Sequence, residues 1–253
     1  MSFSPPSLLV IDDAVARALK EDLGEAGDVT TGACVPKSAQ ARAVIAARTT
    51  GVIAGVDCAR AAFRLVDPAV MGRLEKVDGA RIGAGDQVIL IEGPARAILT
   101  AERVALNFLC HLSGVATATA ALVDAVKGTK ARIVCTRKTT PGLRALEKYA
   151  VRCGGGRNHR FGLYDAVLIK DNHIAAAGGI APALRAAKAA AGHLMAIEIE
   201  VETLAQLEIA LKEGAGAILL DNMAPDELKR AVALTNGRAI LEASGNVTPA
   251  SVR

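Results

Sequence analysis

The sequence predicts a parallel α/β domain preceded by a smaller α+β domain, and three observations carry that prediction. In the second half of the chain, short apolar runs alternate with helical stretches of about ten residues, the pattern of successive β/α units. Five of those runs are followed by a polar or charged cluster. In the first half, strand-like runs punctuated by turn signals surround a single helix.

Taken in chain order, residues 39–48, 70–77 and 87–92 read as strands, with turn signals at Thr50-Gly51, at Asp78-Gly79 and over residues 83–86. Residues 56–66 read as the helix between them, and this small domain ends near Thr100. Residues 102–112 then set Ala105, Phe108, Leu109 and Leu112 on one helical stripe. Gly114 is expected to break that helix, which resumes over residues 115–126. Strands follow at residues 131–135, 166–169, 195–201, 217–220 and 239–241, separated by helices at 142–152, 181–191, 203–213 and 225–234. Thr248-Pro249 reads as a helix N-terminus, with Thr248 as the cap.

The clusters that follow the five strands are Thr136-Arg137-Lys138, Lys170-Asp171-Asn172, Glu200, Asp221-Asn222, and Glu242 with Ser244-Gly245. Ligands of parallel α/β folds bind at the carboxyl ends of the strands. One charge after a strand is ordinarily a solvated loop residue. Five in succession point to a site.

Composition excludes several classes of protein. Of the 253 residues, 51% are hydrophobic and 22% charged, which excludes a disordered chain. Aromatics are 2% with no Trp, so there are no stacking faces for single-stranded nucleic acid, and a net charge of +4 is too small for a nucleic-acid protein. No apolar run near the length of a membrane span and no basic start before a hydrophobic stretch are evident, so a soluble, cytosolic protein that engages no membrane is expected. The five Cys form no C-x-x-C pair, and buried free thiols are the expected state.

Charge is unevenly spread. Residues 129–173 hold ten basic and three acidic side chains, whereas residues 198–242 hold nine acidic and four basic ones. The Gly triplet 154–156 fits neither G-x-x-x-x-G-K-[ST] nor G-x-G-x-x-G, so a flexible connection is expected there. His159, beside Asn158 and Arg160, is either a structural histidine or part of a donor cluster. Glu200 and Asp221, at successive strand ends, suit Mg²⁺ held together with substrate phosphates, or else act as capping acids. No zinc-ligand spacing and no G-x-S-x-G elbow occur. The residues alone thus describe an enzyme with a basic pocket for polyanions and an acidic rim for a Mg²⁺–pyrophosphate, working by electrostatic stabilisation.

The run TRKTTPGLRALEKYAVRCGGGRNHRFGLYDAVLIKDNHI, residues 136–174, closely resembles the signature of the quinolinate phosphoribosyltransferases. Supporting stretches are EDLGEAGDVTT (21–31), GVIAG (51–55), ERVALNFLCHLSGVAT (102–117), EIEVET (198–203), ILLDNM (218–223) and LEASGNV (241–247), so the resemblance covers nearly the whole chain. It implies an N-terminal open-faced α/β sandwich, residues 1–114, followed by an incomplete, open parallel α/β barrel, residues 115–253, that carries the active site. It also implies condensation of quinolinate with phosphoribosyl pyrophosphate (PRPP) in NAD biosynthesis, with Mg²⁺. On this resemblance Arg137, Arg160 and Lys170 hold the two quinolinate carboxylates, assisted by His159 and Thr136. Arg103 reaches in from the neighbouring subunit of a homodimer or larger homo-oligomer. PRPP lies across Lys138, Glu200 and Asp221, the two acids on the Mg²⁺ side, with its 5′-phosphate on Ser244, Gly245 and Asn246.

Family members continue past the Ser-Gly loop, so a longer natural polypeptide with a second phosphate loop is expected. Two other readings are weighed. A relative encoded in molybdenum transport operons shares the fold, but Lys170-Asp171-Asn172-His173 with Asn158-His159-Arg160 resembles the quinolinate enzyme. Residues 79–93 resemble a lipoyl-type carrier hairpin, but no lysine occupies a turn where a carrier is modified.

Overall fold

A computed structural model describes residues 4–253. They form two compact units, one ending at His159 and taking in Arg253, the other spanning Arg160–Val252. The residue-114 boundary lies inside a helix of the first unit.

The first unit opens with α1 (Leu8–Leu23), whose Ile11, Ala14, Val15 and Leu19 repeat at helical spacing and are buried. α2 (Val29–Cys34) is capped by Asp28, whose side chain accepts from the Thr31 amide at 2.9 Å. There follow β1 (Gln40–Ala46), β2 (Gly51–Val52), α3 (Val56–Val66), β3 (Met71–Leu74), β4 (Arg81–Ile82) and β5 (Gln87–Pro94). β1, β5 and β3 form an antiparallel sheet in that order, and β2 pairs with β4. Val88, Ile89 and Ile91 of central β5 are buried.

α4 (Ala95–Ala125) is one continuous helix of 31 residues, not two helices parted at Gly114. Leu112, Ala116 and Ala120 on its inner face are buried on both sides of that glycine, and this packing outweighs the roughly 1 kcal/mol cost of an interior Gly. By length and composition α4 could cross a membrane, contrary to the sequence expectation. In this fold Ala101, Val104, Ala105, Phe108 and Leu109 belong to the core of the first unit, with Ala59, Ala62 and Phe63 of α3. α5 (Arg144–Cys153) completes that core through Leu146, Ala150 and Cys153. The strand expected over residues 131–135 is reduced to a single parallel bridge, Val134 with Arg157.

The second unit runs β6 (Val167–Ile169), α6 (Asp171–Ala177), α7 (Ile180–Ala190), β7 (Ile197–Val201), α8 (Leu204–Lys212), β8 (Ala217–Asp221), α9 (Pro225–Thr235) and β9 (Ile240–Ser244). Its four strands form one parallel sheet in sequence order β6-β7-β8-β9 that does not close on itself, an open barrel segment. Ile199, Ile218 and Leu220 of the sheet pack with Leu184, Leu207 and Ala231 of the covering helices. Residues 248–252 form a single helical turn capped as expected by Thr248: Ser251 N donates to Thr248 Oγ1 at 3.2 Å, and Val252 N donates to Thr248 O at 2.9 Å.

Candidate active site

In the first unit the loop over residues 136–140 follows the lone bridge at Val134 and is folded on itself. Lys138 N donates to Thr136 Oγ1 at 3.0 Å, and Thr139 N donates to Arg137 O at 3.0 Å. Such short-range bonds, one from a side chain and one within the backbone, fix a turn that no ladder supports. Thr136 and Lys138 are exposed and Arg137 is half-buried. The Arg137 Nε is buried without a hydrogen-bond partner. A guanidinium donor left this way is a ready anion contact, because buried donors are nearly always paired.

α5 underlies the loop. Arg144 Nε donates to Thr139 Oγ1 at 3.1 Å, and Thr140 N donates to Glu147 Oε2 at 3.1 Å. The Lys148 side chain, 1% exposed, donates from Nζ to Cys135 Sγ at 2.9 Å and to His159 O at 3.1 Å. Glu147 Oε1 also lies 2.8 Å from His111 Nε2. Burial on its own raises the Glu147 carboxyl, but the bonds from Thr140 and His111 together hold it below the ordinary value. Cys135, Thr136, Lys138, Glu147 and Lys148 line a cavity of about 310 Å³.

A larger cavity of about 1480 Å³ in the same unit is lined by Asp78, Tyr149, Cys153 and Arg157 and holds none of the predicted site residues. Burial raises Asp78, to which Tyr149 donates at 2.9 Å, and pushes Cys58 and Cys153 up to about 12. Those two thiols are inert. The expectation that the cysteines are buried holds for Cys58 and Cys153 but not for Cys34 and Cys110, which are exposed, while Cys135 is half-buried.

The Gly triplet is a packing device, not a flexible connection. A side chain at Gly154 would collide with the Ala116 carbonyl and Thr119 of α4, and one at Gly156 would come within 2.8 Å of Thr119 and Val151. Only bare backbone lets this segment lie against α4 and α5 and lead into Asn158 and His159.

In the second unit the strand ends converge. Lys170 follows β6, and its Nζ pairs with Glu200 Oε2 of β7 at 3.2 Å. Lys170 N donates to His173 Nδ1 at 3.0 Å, which fixes the start of α6. Asp221 ends β8 directly opposite Ser244 of β9, and Asn222 N donates to Ser244 O at 2.9 Å. Asp221 Oδ2 accepts from Asn222 Nδ2 at 2.8 Å, and Asn246 Nδ2 donates to Asn222 Oδ1 at 3.4 Å. Gly245 has φ +93°, and a Cβ there would overlap the Asn222 side chain. Arg160 Nη1 donates to Ala166 O at 3.1 Å, ahead of β6.

The predicted residues therefore gather in two sets. Thr136, Arg137 and Lys138 share one loop, tied through Lys148 to His159. Lys170, Glu200, Asp221, Ser244, Gly245 and Asn246 share the strand-end edge of the open sheet, whereas Arg160 is bonded to Ala166 at the N-terminal end of β6. Arg103 stands apart, exposed on α4. Sequence reading missed Glu147, Lys148 and His111, and it named His173 and Asn222 only as members of strand-end motifs without a role. Of these, only Asn222 and His173 carried a usable signal, through their places beside a strand end.

The profile of the quinolinate phosphoribosyl transferase N-terminal domain matches residues 28–113, and that of its C-terminal domain matches residues 115–253. The chain is 49% identical to a nicotinate-nucleotide pyrophosphorylase [carboxylating] of Mycobacterium leprae over 243 residues, covering 93% of this chain and 84% of the relative. A probable enzyme of the same name from Bacillus subtilis is 46% identical over 228 residues, covering 90% of this chain and 78% of the relative. The solved structure of NadC from Streptococcus pyogenes superposes with a TM-score of 0.95 at 43% identity, covering 99% of this chain and 88% of that one. Both halves of the chain thus agree with one enzyme family, and the chain belongs to the quinolinate phosphoribosyltransferases.

Proposed function

We propose that this chain condenses quinolinate with PRPP to give nicotinate mononucleotide, pyrophosphate and CO₂, a pentosyl transfer of de novo NAD biosynthesis. The relatives' names support the reaction, and the observation in this chain that carries it furthest is the buried, unpartnered Arg137 Nε in a loop shared with Lys138. The pyridine nitrogen attacks the ribose anomeric carbon, and the C–O bond to pyrophosphate breaks with its electron pair leaving on oxygen. The C2–carboxylate bond of the quaternised ring then breaks, CO₂ departs, and the electron pair left on C2 takes up a proton. No general base is needed, because the ring nitrogen is itself the nucleophile.

In this reading Arg137, Arg160 and Lys170 receive the two quinolinate carboxylates, with Thr136 and His159 donating beside them. Guanidinium forks match planar carboxylates. Lys138 takes the pyrophosphate end of PRPP, Glu200 and Asp221 its ribose and metal side, and the Ser244-Gly245-Asn246 turn its 5′-phosphate. Glu200 and Asp221 are hard oxygen donors on adjacent strands, a donor set that fits Mg²⁺. Held there together with PRPP, Mg²⁺ would supply neutralisation of charge on the departing pyrophosphate.

Residues 1–114 act as the N-terminal domain, residues 115–253 carry the reaction, and Arg103 serves the site of a partner subunit in a homo-oligomer. Cysteines without disulfides among the described residues accord with a cytoplasmic setting. The test is direct: purified protein, quinolinate, PRPP and Mg²⁺ are expected to yield nicotinate mononucleotide and CO₂ in equal amounts. A protein that is folded yet forms neither product overturns the reading.

A further inference from the structure

α5 grips the loop of residues 136–140 at both ends, through neighbouring charged residues that a surface helix would ordinarily turn to solvent. Lys148 reaches Cys135, immediately before the loop, and the carbonyl of His159, while Glu147 receives the amide of Thr140 at the loop's exit. Arg144, one turn earlier on the same helix, holds the Thr139 hydroxyl. Glu147 and Lys148 are 8% and 1% exposed, so both charges lie where desolvation is costly. A buried ion is weak support for stability, since an apolar side chain of equal volume commonly does as well. What an apolar side chain cannot do is fix the direction of a hydrogen bond.

We propose that Glu147 and Lys148 are positioning residues for the phosphoribosyl transfer. Lys148 sets the spacing between the Thr136-Arg137-Lys138 segment and the His159 segment, and Glu147 locks the loop's far end, so that Arg137 presents its guanidinium at a fixed height. His111, 2.8 Å from Glu147, extends the clamp to α4. The inference rests on reading Arg137 and Lys138 as substrate contacts. In this inference neither clamp residue is assigned a substrate contact. Each acts by holding side chains that have one, and misplacement by about 1 Å can cost roughly a hundredfold in rate.

The experiment measures KM and kcat for quinolinate at a temperature well below melting, for Lys148→Met, Glu147→Ala and Glu147→Gln. Partial unfolding removes active enzyme and so lowers kcat without moving KM. A misplaced loop moves KM. Lys148→Met and Glu147→Ala are expected to raise the quinolinate KM about tenfold or more. Glu147→Gln keeps an oxygen for the Thr140 amide and is expected to restore KM to within about threefold. Folded Lys148→Met and Glu147→Ala proteins with unchanged quinolinate KM overturn the proposal, whatever their melting temperatures. Should Lys148→Met fail to fold, Glu147→Ala and Cys135→Ala, which act at opposite ends of the loop, carry the same criterion. Arg137→Met is the control. If it leaves KM unmoved, the reading of the loop as a substrate contact fails. If it raises KM while the clamp variants do not, only the clamp fails.

Discussion

Deleting one carboxylate from the substrate is the sharpest perturbation this site allows. Nicotinate is quinolinate without its 2-carboxylate, and its transfer to PRPP needs no decarboxylation, so the chemical step gives no reason to refuse it. Any refusal must come from binding. Arg137 already has a buried Nε with no partner among the described residues, and the loop around it is held rigid by its own hydrogen bonds and by α5. A ligand that leaves such a cation unmatched forfeits about 2–5 kcal/mol. At about 1.4 kcal/mol per tenfold, kcat/KM for nicotinate should fall below that for quinolinate by roughly 30-fold to 4,000-fold. Initial rates of nicotinate mononucleotide formation with each acid, at fixed PRPP and Mg²⁺, give the ratio. Arg137→Met should then shrink it, because that variant loses quinolinate turnover and has little nicotinate turnover to lose. Turnover of the two acids within a few-fold of each other in the unmodified protein would refute the reasoning.

Glu200→Gln and Asp221→Asn should lower kcat about 10²–10³-fold, as loss of one charge-stabilising group typically does. Their melting temperatures should shift by only a few degrees, because Lys170, the partner of Glu200, is 48% exposed and rehydrates when unpaired; chelation with EDTA should abolish turnover of the unmodified protein. Mixing inactive Arg103→Ala with inactive Lys138→Ala subunits should restore part of the activity if Arg103 works across a subunit interface. Zero activity after verified subunit exchange argues that it does not. Glu147, whose folded value is lowered, contributes stability that is fully present above the ordinary carboxylate value of 4.5 and is lost as pH falls through the lowered one. Glu147→Gln should therefore flatten that part of the acid limb of a melting-temperature profile, and an unchanged limb would count against the hydrogen-bonded carboxylate.

Much of the fold was legible because apolar runs here are short and cleanly bounded. α3 falls on the predicted residues 56–66, and β6 to β9 fall within a few residues of their predicted places. The misreadings have physical causes. Gly114 looks like a breaker only until Leu112 and Ala116 are seen buried beside it. Residues 131–135 have strand composition, but among the described residues their β pairing is limited to a bridge with Arg157. α1 was overlooked although Ile11, Val15 and Leu19 repeat every four residues, a signal available to a closer count.

At the site, residues displayed after strands could be read, since their position in the fold already implies exposure to ligand. Glu147 and Lys148 could not. A charged pair inside a helix gives no sign in one dimension that it faces inward, and their roles come from Cys135, Thr140 and His159, which lie elsewhere in the chain.

Continuity of α4 through Gly114 has a mechanical consequence. Arg103 and the Ala116–Thr119 seat under the glycine triplet lie on the same uninterrupted rod, about 20 Å apart along its axis. Without a joint between them, a push at one end arrives at the other as displacement and is not absorbed as bending. If Arg103 answers to the ligand of a neighbouring protomer, its recoil is delivered to the seat of Gly154 and Gly156 in its own chain. Two catalytic centres coupled in this way would share a crankshaft, and occupancy of one would be felt as a change of fit in the other.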